Sequence, residues 1–230
     1  MAPFGASRAG LMSVAADDIP DSAVAHYDAT QEDFSDGGSV STLTDFSGSN
    51  NDATGGTPTF LVDQRNGNAV FDFDSDDQLD SSTPDFAQPY SGVIAVQAND
   101  DGTDTSLFSA QSGASGDERG SLYYDFDSNE LELRVGDENP RGGTPTTNWV
   151  VVSFVVDGDD SEVRIDGSTE FTGDAGDGAW SGISVGQRYT DAEGLDGLVG
   201  EILYYDVDLR DSGELSEEEQ RVANKWGISI

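Results

Sequence analysis

The sequence lacks cysteine entirely, and its 230 residues include one histidine and one lysine. The absence of cysteine excludes disulfide frameworks, cysteine-ligated zinc or iron–sulfur sites and cysteine nucleophiles. Ten basic residues face 46 acidic ones, for a formal net charge of −36. Because so acidic a surface repels phosphate and anionic lipid, nucleic acids and membrane surfaces are poor partners. No apolar run approaches the roughly 20 residues that a membrane-spanning helix needs.

Such strong acidity is compatible with disorder or with a folded domain whose surface is rich in carboxylates. Hydrophobic residues make up 35% of the chain and aromatic residues 9%, which favours the folded domain. A surface rich in aspartate and almost free of lysine resembles proteins of extreme halophiles. In molar salt the screening length is about 3 Å, so repulsion between the carboxylates is weak. We therefore expect a high-salt environment and a fold that weakens in low salt.

Residues 1–23 differ in composition from the rest of the chain. The first 16 contain no acidic residue and a single basic one. The side chains that stand out there are Phe4, Arg8, Leu11 and Met12. We expect residues 1–23 to form an extended arm that anchors the protein in an assembly, and residues 24–230 to form one domain. A weak secretory signal and a flexible tail are the alternatives for the arm.

Short apolar runs alternate with clusters of Gly, Asp, Ser and Asn, a pattern typical of an all-β sandwich or barrel. The runs lie at residues 93–96, 106–110, 122–126, 130–135, 149–156, 162–165, 183–185 and 198–205. Apolar and charged residues alternate over 130–135, which predicts one buried and one polar face. The run at 149–156 is the most apolar and should be covered on both faces.

One helix is predicted, close to the C-terminus. Ser216 and Glu219 have the spacing of a capping box, which would place the start of the helix at Ser216. Val222 and Trp226 supply an apolar stripe, and Gly227 suits the position after the last turn.

Several segments resemble concanavalin A-like and laminin G-like jelly-roll domains, and they occur in the family's order. These segments are residues 26–30, 44–54, 67–82, 149–167, 181–188, 197–209 and 216–228. The resemblance extends from residue 24 to the end and includes the C-terminal helix of many bacterial and viral members. It implies a two-sheet antiparallel jelly-roll sandwich with one concave face that often binds ligands. The fold hosts lectins, adhesion modules and glycosidases, so it does not fix the activity.

The sequence predicts no catalytic site. Glu130 and Glu132 have the alternating spacing of glycosidase carboxylates, but the further acidic residue of the Glu-x-Asp-x-x-Glu pattern is missing. Arg134 beside them indicates an ion pair instead. His26 is the only histidine available for acid–base chemistry, and it is expected to pack at a strand start. We therefore expect a protein that is not an enzyme.

Calcium is the one cofactor that the sequence indicates. Asp45, Asn50 and Asp52 lie on a glycine-containing turn and offer the oxygen ligands that calcium prefers. In the topology that the resemblance implies, Glu201 reaches the same loop. The alternative is an ordinary turn, because Asn and Asp hydrogen-bond their own backbone there.

Three aromatic residues are candidates for stacking against a sugar ring. Tyr123 and Tyr124 are adjacent in one strand and must point to opposite faces of the sheet. Trp180 lies in a glycine-rich loop. Packing inside the domain is the alternative for all three.

Together, these features favour a virion structural protein of a halophilic tailed virus. We expect a capsid- or tail-associated decoration or attachment protein that presents a lectin-like domain to the host surface. Its expected partners are other virion proteins, further copies of itself in a homo-oligomer, and host surface glycans. The alternative is a secreted carbohydrate-binding module of a halophilic archaeon, and a glycoside hydrolase comes third.

Overall fold

A computed structural model describes residues 19–110, 120–136, 138–187 and 193–230. Within these ranges the chain forms two antiparallel sheets, which confirms the predicted all-β sandwich. The first sheet contains β1 (Ala23–Asp28), β2 (Gly38–Ser39), β5 (Thr59–Arg65), β6 (Asn68–Phe73), β8 (Tyr90–Ala98), β13 (Val150–Val156), β14 (Ser161–Ile165), β15 (Ser168–Gly173) and β17 (Gly197–Tyr205). The second sheet contains β3 (Thr42–Leu43), β4 (Ala53–Thr54), β7 (Leu79–Phe86), β9 (Thr105–Ser109), β10 (Gly120–Asp125), β11 (Glu130–Val135), β12 (Arg141–Gly142) and β16 (Trp180–Val185).

Strands that are distant in sequence are neighbours in both sheets, as in a jelly roll. The first sheet has the order β15-β14-β13-β8-β17-β6-β5-β2, and β1 pairs with the second half of β17. The second sheet has the order β12-β11-β10-β9-β16-β7-β4-β3. This order places β10 and β11 beside each other near one edge of the second sheet.

The core between the sheets is aromatic. Its large rings are those of Phe86, Tyr90, Phe108, Phe154, Trp180 and Tyr204. Gly92 on β8 permits this packing, because a Cβ atom there would lie 2.3 Å from the ring of Phe154. Every residue of β13 is buried, as its apolar sequence predicts, since the second sheet covers one face and a helix covers the other.

That helix is α2 (Leu215–Trp226), which packs on the outer face of the first sheet and follows the short helix α1 (Leu209–Ser212). Its predicted end at Gly227 is confirmed, because Gly227 has φ 61° and caps the last carbonyl groups. The predicted capping box is wrong. The helix begins one residue before Ser216, and Glu219 turns inward to accept a hydrogen bond from the Ser153 hydroxyl at 2.6 Å.

The predicted arm, residues 1–23, begins outside the described residues, because the structure describes the chain from residue 19. The side chains of Phe4, Arg8, Leu11 and Met12 therefore have no described position, and their anchoring role stays a prediction. None of the described helices is both long enough and apolar enough to cross a membrane.

Candidate functional site

The outer face of the second sheet carries a row of polar side chains. On β10 and β11, Tyr123 lies directly opposite Glu132, and Ser121 lies opposite Arg134. Their strand neighbours, such as Leu122 and Leu133, point into the core. The alternation over 130–135 therefore produces the polar face that the sequence predicts.

Glu132 is the centre of an ionic network on this face. Its side chain is 0% exposed. The Oε1 atom accepts hydrogen bonds from Arg134 Nε at 3.0 Å and from Asn139 Nδ2 at 3.3 Å, and Arg141 Nη2 pairs with Oε2. Arg134 also donates to the hydroxyl of Tyr123 at 2.8 Å. The buried carboxylate therefore fixes two guanidinium groups whose side chains remain 24% and 37% exposed.

Two aspartates extend the network towards the turn between β10 and β11. Thr105 pairs with Tyr124 between β9 and β10, which places Asp104 beside Asp125. Partial burial and the nearby carboxylate of Asp125 raise the pKa of Asp104 to about 6. Burial alone would raise the pKa of Asp125 as well, but hydrogen bonds from Ser128 and the charge of Arg141 outweigh burial and lower it. The environment thus pushes the pKa values of two neighbouring carboxyl groups apart.

Replacing Asp104 with asparagine should stabilise the protein in a pH-dependent way. The folded state holds the Asp104 proton more tightly than the unfolded chain does, so ionisation of Asp104 lowers stability as pH rises through about 6. We expect Asp104→Asn to melt above wild type at pH 7–8 and to lose this advantage towards about pH 4, near the unfolded pKa. Melting curves at constant salt measure the difference. An advantage of Asp104→Asn that does not depend on pH would contradict this account, and Glu217→Gln is the exposed-carboxylate control.

A cavity lies beside the end of β11. It has a volume of about 380 Å³ and is lined by Val135, Gly136, Glu138, Gly158, Asp159, Asp174, Gly176, Asp177 and Gly178. No aromatic ring contributes to this lining, and its charged groups are all carboxylates. It therefore lacks the mixture of donors and acceptors that surrounds Glu132.

The structure assigns different roles to the three predicted stacking residues. Tyr123 lies on the polar face, but its ring is 3% exposed, with the Arg134 guanidinium 5.5 Å from the ring centroid. Tyr124 and Trp180 point inward and are fully buried. The expectation that Tyr124 and Trp180 could stack on a sugar is wrong, because Trp180 packs against Tyr90 and Phe154 in the core.

The four predicted calcium ligands are not brought together in a form that fits calcium. Both carboxylate oxygens of Asp45 already accept hydrogen bonds, from the backbone of His26, Ser47 and Asn51 and from the Ser47 hydroxyl. Asp52 accepts a hydrogen bond from the backbone of Asp45 at 2.8 Å. The loop is therefore organised by its own backbone, with Asn50 exposed at its tip.

Glu201 lies instead under α2, where nitrogen atoms of three side chains surround it. His26 Nε2 and Arg221 Nη2 are each 2.7 Å from Oε1, and Lys225 Nζ is 3.2 Å from Oε2. Burial would raise the pKa of Glu201, but these partners lower it well below its usual range. A calcium ion at the predicted four residues does not fit this arrangement, and calcium elsewhere in the chain stays a prediction.

Sequence reasoning missed most of the residues around Glu132. The missed residues are Asp104, Asp125, Asn139 and Arg141. They lie in loops and at strand ends that come close to Glu132 only when β9 to β12 pair with one another. The sequence did offer one signal for this site, the scarcity of cations. In so acidic a chain, the position of each of the nine arginines indicates where carboxylates are paired.

One catalytic spacing was also overlooked. Residues 182–186 (GISVG) have the Gly-x-Ser-x-Gly pattern of serine hydrolases. Ser184, however, lies within β16, is buried, and donates its hydroxyl to the carbonyl of Gln187 at 2.8 Å. The only histidine, His26, lies on the other sheet, so the pattern does not form a catalytic elbow.

Comparison with known proteins gives matches at the level of structure. No protein-family model and no curated protein matches the sequence. The chain is similar to a Trypanosoma rangeli sialidase solved with sialic acid, with a TM-score of 0.61 and 14% identity over 92% of this chain and 34% of the sialidase. Domain 4 of a GH43 extracellular arabinanase from Geobacillus stearothermophilus, solved with arabinotriose, matches with a TM-score of 0.56 and 22% identity over 80% of this chain and 91% of that domain.

A GH54 α-L-arabinofuranosidase is also similar, with a TM-score of 0.58 and 17% identity over 81% of this chain and 51% of the enzyme. The chain thus spans about a third of the sialidase and half of the arabinofuranosidase. At these identities the likeness establishes the fold, a β-sandwich compatible with the concanavalin A-like family. It provides no link to virion proteins.

The prediction that the protein is not an enzyme is contradicted by these matches. The proteins that share its fold are mostly enzymes, including a sialidase, an arabinanase and an arabinofuranosidase. The prediction of inactivity rested on two observations, the missing acidic partner of Glu130 and Glu132 and the single histidine. Both observations concern only the catalytic sites that were recognised in the sequence. At the identities of these matches, what the chain shares with them is the two-sheet β-sandwich fold.

Proposed function

We propose that the chain is a carbohydrate-binding β-sandwich domain whose binding surface is the outer face of the second sheet. The observation that carries this proposal is the network around Glu132, in which a buried carboxylate holds Arg134 and Arg141 at the surface. The sandwich shared with proteins solved in complex with sialic acid and arabinotriose supports the same class of ligand.

The chemistry of this face suits sugar hydroxyl groups, each of which donates and accepts hydrogen bonds. The guanidinium groups of Arg134 and Arg141 can only donate, whereas the carboxylates of Asp104 and Asp125 accept. Because Glu132 fixes both arginines before a ligand arrives, little side-chain entropy is lost on binding. The surrounding carboxylates favour neutral sugars over acidic ones, since the excess negative charge repels an anionic ligand.

A glycan panel probed in molar salt tests this proposal. We expect Arg134→Gln and Arg141→Gln each to weaken binding about tenfold or more, because each removes a charged hydrogen-bond donor worth about 1.5–3 kcal/mol. Neutral arabino- and gluco-oligosaccharides should bind better than sialylated ones. Melting temperatures of each variant separate loss of binding from loss of fold.

Two control variants test whether the loss of binding is specific to the face around Glu132. Arg210→Gln removes an arginine of similar exposure, 26%, that is ion-paired with Asp208 away from this face. Asp177→Asn alters the acidic cavity beside β11. Both should bind like wild type. The proposal fails if Arg134→Gln and Arg141→Gln bind normally, or if Asp177→Asn abolishes binding.

Glycoside hydrolysis at the same face is a second candidate function. The observation that favours it is the Asp104–Asp125 pair, because carboxyl groups with separated pKa values can divide the roles of acid and base. Asp104, with a pKa of about 6, would be the proton donor, and Asp125 the ionised partner. Release of reducing sugar from the same panel, lost in Asp104→Asn and Asp125→Asn, would support this function, and no release by wild type would remove it.

The finer role that we propose is recognition of host-surface glycans by a halophilic virus, with the arm anchoring homo-oligomers of this chain among other virion proteins. Its support is the acidic, lysine-poor composition of the chain and the lack of acidic side chains in residues 1–16. A protein inventory of purified virions tests it. A secreted carbohydrate-binding module would instead be found free in the culture medium.

A further inference from the structure

A second cluster of chemically active side chains lies between the first sheet and α2, far in the fold from the face around Glu132. His26 and Asp28 on β1 and Glu201 on β17 project from the outer face of the first sheet and are almost fully buried. One ligand-type atom from each of the three lies within 4.8 Å of the others. An imidazole and two carboxylates form a ligand set that suits transition-metal ions.

The side chain of Lys225, from the last turn of α2, reaches this cluster. Its Nζ lies 2.7 Å from Asp28 Oδ2 and 3.2 Å from Glu201 Oε2. A zinc ion would need these oxygens at about 2.0–2.2 Å. An ammonium group in this position therefore competes directly with any metal ion for the same carboxylates.

We infer that His26, Asp28 and Glu201 form a cation site whose resident cation is the ammonium group of Lys225. The chain uses arginine for its nine other positive charges and lysine only here. Arginine offers a planar fork, whereas lysine offers a compact point charge. The neighbouring Arg221 joins Glu201 to Glu218 through its Nη2 atom, which lies 2.7 Å from a carboxylate oxygen of each. The ammonium group of Lys225 is the compact charge that takes the place of a metal ion in this cluster.

Removal of the ammonium group should convert the cluster into a metal site. Without Lys225, the buried carboxylates of Asp28 and Glu201 lose the cation that they share, while Arg221 stays paired with Glu201 and Glu218. A divalent ion would restore the balance of charge. The imidazole ligand favours Zn²⁺ or Co²⁺ over Ca²⁺, which prefers six to eight oxygens.

The test compares wild type and Lys225→Ala after treatment with a chelator, at constant high salt. We expect Lys225→Ala to melt below wild type and to gain at least about 3 °C on addition of ZnCl₂ or CoCl₂, while CaCl₂ has little effect. Wild type should respond to none of the three. Bound Co²⁺ would also give visible absorption bands, which report its ligands independently of stability.

Three further variants make the result specific. Lys225→Met keeps most of the aliphatic stem and should respond to Zn²⁺ in the same way, which provides a second readout if Lys225→Ala does not fold. Lys225→Arg keeps the charge and should not respond. His26→Gln combined with Lys225→Ala should lose the response, since it removes the nitrogen ligand. The inference is overturned if Lys225→Met and Lys225→Ala both ignore Zn²⁺ and Co²⁺, or if wild type responds as strongly as they do.

Discussion

Glu201→Ala is expected to lower the free energy of unfolding by about 3–5 kcal/mol, because it removes a buried carboxylate that helps to balance the charges of Arg221 and Lys225. The Glu201 side chain is 0% exposed and contacts His26, Arg221, Lys225 and the indole nitrogen of Trp226. These contacts join two strands of the first sheet to α2. The loss corresponds to a fall in melting temperature of roughly 6–20 °C for a chain of this size.

Two companion variants separate charge from packing in this experiment. Glu201→Gln preserves the shape and some hydrogen bonds, so it should destabilise less than Glu201→Ala. Glu217→Gln removes an exposed carboxylate from the same helix and should change stability by no more than about 0.5 kcal/mol. Chemical denaturation in molar salt measures all three. A loss below about 1 kcal/mol for Glu201→Ala would contradict the ionic account of how α2 docks.

Gly120→Ala is expected to be strongly destabilising, although it adds a single methyl group. A Cβ atom at Gly120 would lie 1.5 Å from Nε1 of Trp180 and 1.8 Å from its Cδ1. Trp180 is fully buried among aromatic rings and has little room to retreat. Overpacking of this kind costs about 1–3 kcal/mol and sometimes more, so we expect a loss at or above the upper end.

A double-mutant cycle shows whether the clash with Trp180 is the cause. Trp180→Phe removes the atoms that the new methyl group meets, so Gly120→Ala should destabilise much less when Phe occupies position 180. Gly48→Ala is the control, since its Cβ would meet no atom within 4 Å, and only its φ of 90° opposes the change. Additive effects of Gly120→Ala and Trp180→Phe would contradict the packing described here. If folded Trp180→Phe binds glycans like wild type, the indole is confirmed as a core group and not a sugar platform.

Local periodicity predicted the eight strands β8 to β11, β13, β14, β16 and β17, and it missed others such as β5, β6, β7 and β15. It also failed where long-range pairing decides the outcome. Alternation over 130–135 placed Glu132 and Arg134 on one face, because side chains in a strand alternate strictly. Periodicity could not say which face of β10 would be covered, so Tyr123 and Tyr124 could not be assigned in advance. Trp180 looked accessible in its glycine-rich context, but Gly120 on β10 makes room for the indole inside the core.

The helix illustrates the same limit. Ser216 and Glu219 satisfy a local capping rule, yet Glu219 forms its hydrogen bond with Ser153 on β13, 66 residues away in sequence. The calcium site predicted at the loop of Asp45 shows a related limit, since Glu201 faces Lys225 through the docking of α2, which the sequence does not reveal. The site around Glu132 depends partly on the alternation of side chains along a strand, which the sequence shows. It also depends on loops that lie close to the strand only in the folded chain, which the sequence does not show.

A crystal structure of the protein with the best-binding oligosaccharide of the panel, obtained in molar salt, tests the central claim most directly. We predict that the sugar lies on the outer face of the second sheet, within hydrogen-bonding distance of Arg134 and Arg141, with Glu132 still buried beneath them. A sugar bound instead in the acidic cavity beside β11, or on the first sheet near α2, would contradict the account.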